Sequence, residues 1–324
     1  MARAIRIHQV GGPEVLRLEE VPVGAPNAGQ LHIRQTAIGV NFIDTYERTG
    51  LYAVKLPSGL GREAAGVVIE AGSKVTAFRP GDRVAYFDSA PGAYADERVI
   101  DASHVVKVPE GVSDQQAAAL MLKGLTAWFL LRRCHRVKKN EQILLHAATG
   151  GVGLIALQWA TALGARVIAV VGSDQKAALA REHGAMEVIV GSREDIAGRV
   201  REITKKKGVS VVYDGVGKDT FYASLDSLRP RGLMVSFGNA SGPVPPIAPL
   251  ELTKRGSLFL TRPTLFHYTA KASERARGAR ELFDALASGK FRLKIGATYA
   301  LADAAQAHRD LEARRTTGST LLIP

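Results

Sequence analysis

The sequence predicts an α/β protein in which a doubly wound parallel sheet is inserted in a β-rich domain. Three observations support this fold class. A strand, a glycine-rich turn and a helix follow one another over residues 142–163, and strands and helices alternate after them. The first hundred residues instead hold short strands separated by glycine and proline. At 324 residues the chain is about twice the length of a typical single domain, so two domains are expected.

The composition limits the classes of function. A hydrophobic content of 46% with 23% charged residues is typical of a soluble globular protein. No segment approaches ~18 uninterrupted apolar residues and the N-terminus resembles no signal peptide, so we expect a cytoplasmic protein with no membrane partner. The single cysteine, Cys134, excludes an internal disulfide and any zinc site of several cysteines. The net charge is +12, but the cations are scattered in short runs, so nucleic acid is not the expected partner.

Alternating apolar and polar residues predict the strands of the first domain. They cover residues 4–10, 31–35, 65–71, 83–86 and 94–100. Turn signals such as Gly11-Gly12-Pro13 and Arg79-Pro80-Gly81-Asp82 separate them. Short strands with this punctuation favour a small barrel or sandwich.

Helices and strands alternate in the second part of the chain. Helices are predicted at 115–122, 124–133, 175–182, 194–204 and 221–228, and strands at 142–146, 166–171, 187–190, 209–213, 233–237 and 258–260. This alternation is typical of a parallel, doubly wound sheet. Two helical patterns follow, at 272–287 and 302–314, and the strand from Thr320 is expected to return to the first domain.

The glycine-rich turn predicts a dinucleotide site. Its residues are Ala148, Thr149, Gly150, Gly151, Val152 and Gly153. The helix N-terminus offers N–H groups to a pyrophosphate, Gly150 lets the backbone approach it, and Gly153 lets the helix pack against the strand. Alanine stands where the strict fingerprint has its first glycine, so a tight turn without a ligand is the alternative.

The tip of the second strand indicates which dinucleotide binds. A site for NAD usually has a carboxylate there, which grips the ribose 2′-hydroxyl. Here Gly172, Ser173 and Lys176 supply a backbone N–H, a hydroxyl and a cation, a set that suits the 2′-phosphate of NADPH. Arg193, after the next strand, is expected to reach the same place. The alternatives are helix capping for Ser173 and surface charge for Lys176 and Arg193.

One segment of the first domain, Gly61-Arg62-Glu63-Ala64-Ala65-Gly66-Val67-Val68, resembles the G-H-E-x-x-G-x-V motif of the medium-chain dehydrogenase/reductase superfamily, which holds a catalytic zinc. Arg62 stands in the place of the zinc-binding histidine and Asn41 in that of the first zinc-binding cysteine. The third ligand region, around Leu122, has no cysteine or histidine. A cation cannot bind Zn²⁺ and asparagine is a poor ligand, so no zinc is expected.

The chain is most similar to the bacterial NADPH:quinone oxidoreductase branch of that superfamily, the ζ-crystallin-like proteins. The motifs that carry the resemblance are GVNFIDTYERTGLY, LPSGLGREAAGVV, HAATGGVGLIALQWA, VVYDGVG, RGLMVSFGNASG and GSLFLTRPTL. The resemblance implies a Rossmann-type doubly wound parallel sheet inserted in a β-rich, GroES-like catalytic domain. The implied boundaries are 1–122 plus 265–324 for the catalytic domain and 123–264 for the NADP-binding domain.

The resemblance also implies the activity and the residues that carry it. A quinone receives hydride from NADPH without zinc, and Asn41, Tyr46 and Tyr52 line the substrate pocket. Arg62 either adds a positive charge to that pocket or pairs with Glu63 or another acid. The residues beside the nicotinamide are Lys123, Thr126, Phe237, Gly238 and Asn239.

The resemblance implies a homodimer in which the strand from Ser257 to Arg262 pairs with its partner-subunit counterpart. Its apolar residues Leu258, Phe259 and Leu260 would be an aggregation-prone edge if left bare. Two other functions stay open: NADPH-dependent reduction of the double bond of an alkenal or enone, and NADPH-linked RNA binding without catalysis.

Overall fold

The computed structural model describes residues 1–88 and 90–324 of the chain. They form two compact units. Unit 1 contains Met1–Leu125, Thr269–Phe283 and Leu293–Pro324, and unit 2 contains Thr126–Tyr268 and Asp284–Arg292. The domain boundaries given above stay a prediction. In the described ranges, no helix combines the length and the apolar composition that crossing a membrane requires.

Unit 1 is rich in strands. They are β1 (Ala2–Ile7), β2 (Arg17–Val21), β3 (Gln30–Val40), β4 (Ser58–Gly59), β5 (Glu63–Ala71), β6 (Arg83–Phe87), β7 (Glu97–Asp101) and β8 (Val105–Lys107). A small sheet has the order β2-β1-β4. In the larger sheet β3 pairs with β5 and β7, and β6 lies between β5 and β8. Buried aliphatic side chains on both sheets, such as Ile5, Leu31 and Ile33, form one core.

Unit 2 contains a six-stranded parallel sheet. Its strands are β9 (Gln142–Leu145), β10 (Arg166–Val171), β11 (Glu187–Val190), β12 (Val209–Asp214), β13 (Leu228–Ser236) and β14 (Phe259–Thr261). Their order is β11-β10-β9-β12-β13-β14. Numbered within the sheet this is 3-2-1-4-5-6, the order of the Rossmann fold. The predicted α/β fold class is therefore confirmed.

The helices follow in chain order. They are α1 (Phe42–Arg48), α2 (Asp114–Phe129), α3 (Gly151–Ala162), α4 (Asp174–Glu182), α5 (Ile196–Ile203), α6 (Phe221–Asp226), α7 (Leu250–Lys254), α8 (Leu265–Tyr268), α9 (Ala272–Ala287) and α10 (Ala304–Glu312). A π-helical turn, Leu130–Cys134, extends α2. The last strands are β15 (Ile295–Ala300) and β16 (Ser319–Ile323), and β16 lies between β15 and β3 in the sheet of unit 1.

The predictions of secondary structure are wrong in two places, and one helix was not predicted. The helices predicted at 115–122 and 124–133 are one helix to Phe129, because Gly124 serves close packing: a Cβ there would lie 2.6 Å from Leu282 Cδ1. The helix predicted at 221–228 ends at Asp226, since Leu228 already pairs with Val209 in the sheet. Helix α1 was not predicted, because its buried face includes charged residues that sequence patterns assign to the surface.

Candidate functional site

The glycine-rich turn joins β9 to α3. Gly150 is the N-cap residue of α3, and no acidic residue lies in the first turn of the helix. A Cβ on Gly153 would lie 2.1 Å from the carbonyl oxygen of Ala147. Only a residue without a side chain lets the helix pack this close to the turn. The N–H groups of residues 151–153 therefore start an apolar helix whose own first turn has no acidic residue to neutralise its positive dipole end.

Four predicted residues come together at the tip of β10. A Cβ on Gly172 would meet no atom within 4 Å, so a ligand has room to approach the backbone there. Ser173 is the N-cap of α4 and accepts a hydrogen bond from the backbone N–H of Lys176 at 3.4 Å. Arg193 donates to Asp174 at 2.5 Å, and both side chains are exposed. Arg193 therefore lies at the tip of β10, where the sequence predicted it.

Asp214 at the end of β12 holds the connection from this strand to α6 at the carboxyl end of the sheet. Its fully buried carboxylate accepts hydrogen bonds from the backbone N–H groups of Val216 and Gly217 and from two hydroxyls, of Thr220 and Ser224. Ser224 Oγ also lies 2.9 Å from Nε2 of His146, the residue after β9. Burial lowers the pKa of His146, which keeps this imidazole neutral. Sequence reasoning missed Asp214, although an aspartate between a buried strand and two glycines was a usable signal.

The residues predicted beside the nicotinamide in unit 2 follow β13. The backbone N–H of Phe237 donates to the carbonyl of Asp214 at 2.8 Å. A Cβ on Gly238 would lie 2.3 Å from the carbonyl oxygen of Gly215, so the two backbones are in close contact. Asn239 continues the same loop. Phe237, Gly238 and Asn239 therefore lie at the carboxyl ends of neighbouring parallel strands, the edge where such sheets bind ligands.

Tyr46 and Tyr52 are neighbours in unit 1. Tyr46 lies on α1 and is 9% exposed. Its ring meets that of Tyr52 edge to face, with 5.2 Å between centroids. The backbone N–H of Tyr52 donates to the carbonyl of Tyr46 at 3.0 Å, which fixes the loop after the helix. The two phenols predicted to line one pocket are thus adjacent.

Asn41 begins α1, and its side chain faces a carboxylate. Its Nδ2 donates to Glu63 Oε1 at 2.9 Å and to the carbonyl of Gly39 at 3.4 Å. An acceptor-only carboxylate fixes which end of the amide is the nitrogen. Both amide hydrogens therefore have protein acceptors.

Arg62 pairs with Glu47, a residue that the sequence did not single out. Its Nε donates to Glu47 Oε1 at 2.7 Å, and its Nη2 contacts the same oxygen. Glu47 is fully buried, and burial raises its pKa while Arg62 opposes the rise. Of the two alternatives left open for Arg62, an ion pair is present, and its acid is Glu47 instead of Glu63.

Lys123 and Thr126 lie one turn apart on α2, and both are buried. Lys123 Nζ donates to Glu63 Oε1 at 2.8 Å. Glu63 itself is fully buried and opens β5. The sequence identified Glu63 only as part of a motif and as one possible partner of Arg62. Its contacts with Asn41 and Lys123 were not predicted.

A second buried acid, Asp44, stabilises the start of α1. Its carboxylate accepts from the backbone N–H of Asn41 and from the hydroxyl of Tyr94, both at 2.8 Å. Burial, with Glu47 nearby, raises the pKa of Asp44 to about 7. The Tyr94 hydroxyl also contacts His308, and burial next to Arg48 lowers the pKa of His308 to about 3. The folded protein therefore favours neutral forms of both groups.

These shifts predict how stability depends on pH. The pKa of Asp44 is raised above its ordinary 3.8, so the folded state holds a proton that the unfolded state loses, and its contribution falls as pH rises from about 4 to about 7. We expect Asp44→Asn to be more stable than the parent above pH 8, by up to about 4 kcal/mol. The gain should shrink towards pH 5. Urea unfolding at several pH values measures this.

Asp82→Asn is the control for that experiment, because Lys107 lowers the pKa of the Asp82 carboxyl. Its removal should give no gain at high pH. An Asp44→Asn protein that is less stable than the parent at pH 8 would contradict the assignment.

The positions that hold zinc in the resembling motif are occupied here by Asn41 and Arg62. Among residues 1–88 and 90–324, no three His, Cys, Asp or Glu side chains are grouped so that they could hold a metal ion. The donors that are present include two cations, Arg62 and Lys123, each paired with one carboxylate.

Comparison with known proteins agrees with this geometry. Two family models match: the alcohol dehydrogenase GroES-like domain over residues 27–110 and the zinc-binding dehydrogenase over residues 151–285. The chain is 51% identical to a quinone oxidoreductase of Pseudomonas aeruginosa, with 100% of both chains covered. It is 47% identical to a 2-haloacrylate reductase of a Burkholderia species, over 100% of this chain and 99% of that one.

Among solved structures, the quinone oxidoreductase of Escherichia coli complexed with NADPH has a TM-score of 0.98 to this chain and 49% sequence identity, with both chains covered completely. Such similarity extends over the whole length and is far above the level at which only a fold is shared. The chain therefore belongs to the quinone oxidoreductase branch of the medium-chain dehydrogenase/reductase family, as its motifs predicted.

Proposed function

We infer that this protein is an NADPH-dependent quinone reductase that transfers hydride without zinc. The observation that carries the proposal is the glycine-rich turn, which presents a bare helix N-terminus at the carboxyl end of the sheet. Its support is the full-length identity with quinone oxidoreductases, one of which was solved with NADPH.

The residues of unit 2 fit NADPH. The N–H groups at the start of α3 suit the pyrophosphate, and the closeness of Gly153 to Ala147 keeps them in place. Gly172 leaves space at the tip of β10, where Ser173, Lys176 and Arg193 supply a hydroxyl and two cations for the 2′-phosphate. No carboxylate ends β10, so a phosphate meets no direct repulsion there. Asp174 follows, but Arg193 neutralises it.

The residues of unit 1 suit the substrate. Bound NADPH supplies a hydride, and a quinone that accepts it gains negative charge on oxygen. Hydroxyl groups such as those of Tyr46 and Tyr52 stabilise such an oxygen by donating hydrogen bonds. Arg62 and Asn41 stand where zinc ligands would be, and a guanidinium repels a metal ion. The charge on oxygen is therefore met by protein donors.

The test is the loss of NADPH absorbance with purified protein and a panel of quinones, with NADH, an alkenal and a haloacrylate run in parallel. We expect turnover of quinones with NADPH and weaker turnover with NADH. Tyr46→Phe, which removes one hydroxyl and keeps the ring contact with Tyr52, should lower kcat by roughly 10- to 100-fold.

Turnover of the alkenal or haloacrylate without any quinone would move the function to double-bond reduction. Tight NADPH binding with no turnover of any acceptor would favour a binding protein instead. The Tyr46→Phe enzyme should bind NADPH as the parent does, which separates lost chemistry from lost binding.

We also propose a homodimer formed through the segment from Ser257 to Arg262. Its strand, β14, is an edge of the sheet in unit 2, and Phe259 is 61% exposed on it. An exposed apolar edge strand favours pairing with a second copy. A cytoplasmic location stays a proposal that rests on the sequence.

A further inference from the structure

Glu63 lies where three parts of unit 1 converge. Its Oε1 accepts from Asn41 Nδ2 at 2.9 Å and from Lys123 Nζ at 2.8 Å. Its Oε2 accepts from the backbone N–H of Leu122 at 2.5 Å. The Glu63 carboxylate, at the start of β5, thus connects Asn41, which precedes α1, to the middle of α2.

The fold is shaped to hold this carboxylate. Gly39 pairs with Glu63 across β3 and β5, and a Cβ at Gly39 would lie 2.2 Å from Glu63 Oε1. The carboxylate occupies the space that any larger residue at position 39 would fill. Glu63 is 0% exposed and Lys123 is 5% exposed. Burying two charges is favourable only when they are paired with good geometry, so this ion pair differs from the loose pairs found on protein surfaces.

The location of the pair gives it a role. Asn41 and the region of Leu122 correspond to zinc-ligand positions in the resembling motif, and both contact Glu63 here. Two cations lie at these positions: Arg62, which is paired with Glu47, and Lys123, whose ammonium is paired with Glu63. An ammonium has three N–H donors and one of them is directed to Glu63, which fixes where the charge lies.

We propose that Glu63 is a positioning residue for hydride transfer, because it fixes the Lys123 ammonium and the Asn41 amide at the place that zinc takes in metal-dependent relatives. Lys123 then contributes a fixed positive charge beside the oxygen that becomes electron-rich. This rests on the proposed quinone reduction. The partners named above for the Glu63 carboxylate are all protein groups, so it acts through the residues that it holds.

Two variants displace the carboxylate in different ways. Glu63→Gln keeps the shape and removes the charge, whereas Gly39→Ala keeps every charge and pushes the carboxylate away with one methyl group. Both should lower kcat for a quinone by roughly 10- to 100-fold with KM little changed, because reacting groups lose alignment. Lys123→Met should lose roughly 100-fold. In the Lys123→Met background, Glu63→Gln should lower kcat by clearly less than it does in the parent, because only the contact with Asn41 is left to lose.

Asp114→Asn is the matched control. Asp114 anchors the start of the same helix, through Arg83 at 2.6 Å and Thr36 at 2.8 Å, without contacting Asn41 or Lys123. It should leave kcat unchanged. Equal losses in Asp114→Asn and Glu63→Gln would overturn the proposal, because any loosening of α2 would then suffice. Additive losses in the Glu63→Gln/Lys123→Met protein would overturn it as well.

The fluorescence of bound NADPH is a second readout that needs no turnover. Glu63→Gln and Gly39→Ala should alter its emission to the same extent as Lys123→Met, while Asp114→Asn should not. If the parent reduces no quinone, the proposed function fails, and this emission still decides whether Glu63 acts through Lys123. Parent-like emission in both Glu63→Gln and Gly39→Ala would overturn the positioning role, and so would parent-like kcat in both. Should Glu63→Gln fail to fold, Gly39→Ala carries the same test.

Discussion

Gly153→Val should abolish useful binding of NADPH. A Cβ at this position would lie 2.1 Å from the carbonyl oxygen of Ala147, so α3 must move away from the turn. The N–H groups at the start of the helix would then no longer converge on a phosphate. Losing two charge-assisted hydrogen bonds, at about 1.5–3 kcal/mol each, raises the Kd by at least roughly 100-fold. Titration of NADPH fluorescence measures the Kd, and circular dichroism checks that the protein is folded.

Gly172→Ala is the control for the fold. A methyl group there meets no protein atom within 4 Å, so the unfolding temperature should stay that of the parent. Its affinity for NADPH, compared with NADH, reports whether the 2′-phosphate lies at the tip of β10. A folded Gly153→Val protein that binds NADPH tightly would show that the phosphates are held elsewhere.

Asp214→Ala should destabilise unit 2 strongly. The substitution leaves two backbone N–H groups, of Val216 and Gly217, and two hydroxyls, of Thr220 and Ser224, without their acceptor. An unsatisfied buried donor costs about 1–3 kcal/mol, so the free energy of unfolding should fall by more than about 4 kcal/mol. Urea unfolding monitored by tryptophan fluorescence measures the loss.

Asp214→Asn separates the acceptor from the charge. The amide keeps one oxygen for the two backbone N–H groups, and its NH₂ group faces hydroxyls that rotate to accept. The loss should therefore be about 1 kcal/mol. If Asp214→Asn and Asp214→Ala lose equal stability, the negative charge and not the number of acceptors holds the connection from β12 to α6.

The sheet in unit 2 was predictable because local patterns decide it. Each strand is a short apolar run followed by a turn, and Gly153 reveals a close backbone contact directly. The tips of β9 and β10 were therefore found from the chain alone. The exact ends of α6 and β13 were missed, since Leu228 fits a helical pattern as well as a strand.

The polar groups of unit 1 could not be paired from the sequence. The sequence left open a pair of Arg62 with Glu63 or another acid, and the acid is Glu47, fifteen positions earlier. Glu63 contacts Lys123, sixty positions later. Arg62 lies in the bend just before β5 and Glu63 opens that strand, and the two side chains reach different partners. Which acid pairs with which cation depends on how β5, α1 and α2 pack together. This packing cannot be predicted from a local sequence pattern.

The position of β16 has a consequence for how the chain folds during its synthesis. This strand lies between β15 and β3, so the large sheet of unit 1 stays incomplete until residue 323 has been made. The parallel sheet of unit 2 needs nothing beyond Thr261. Domains fold as their residues emerge from the ribosome. The sheet of unit 2 can therefore form completely before β16 has been synthesised. At that time β3, made more than two hundred residues earlier, still lacks β16 as its neighbour.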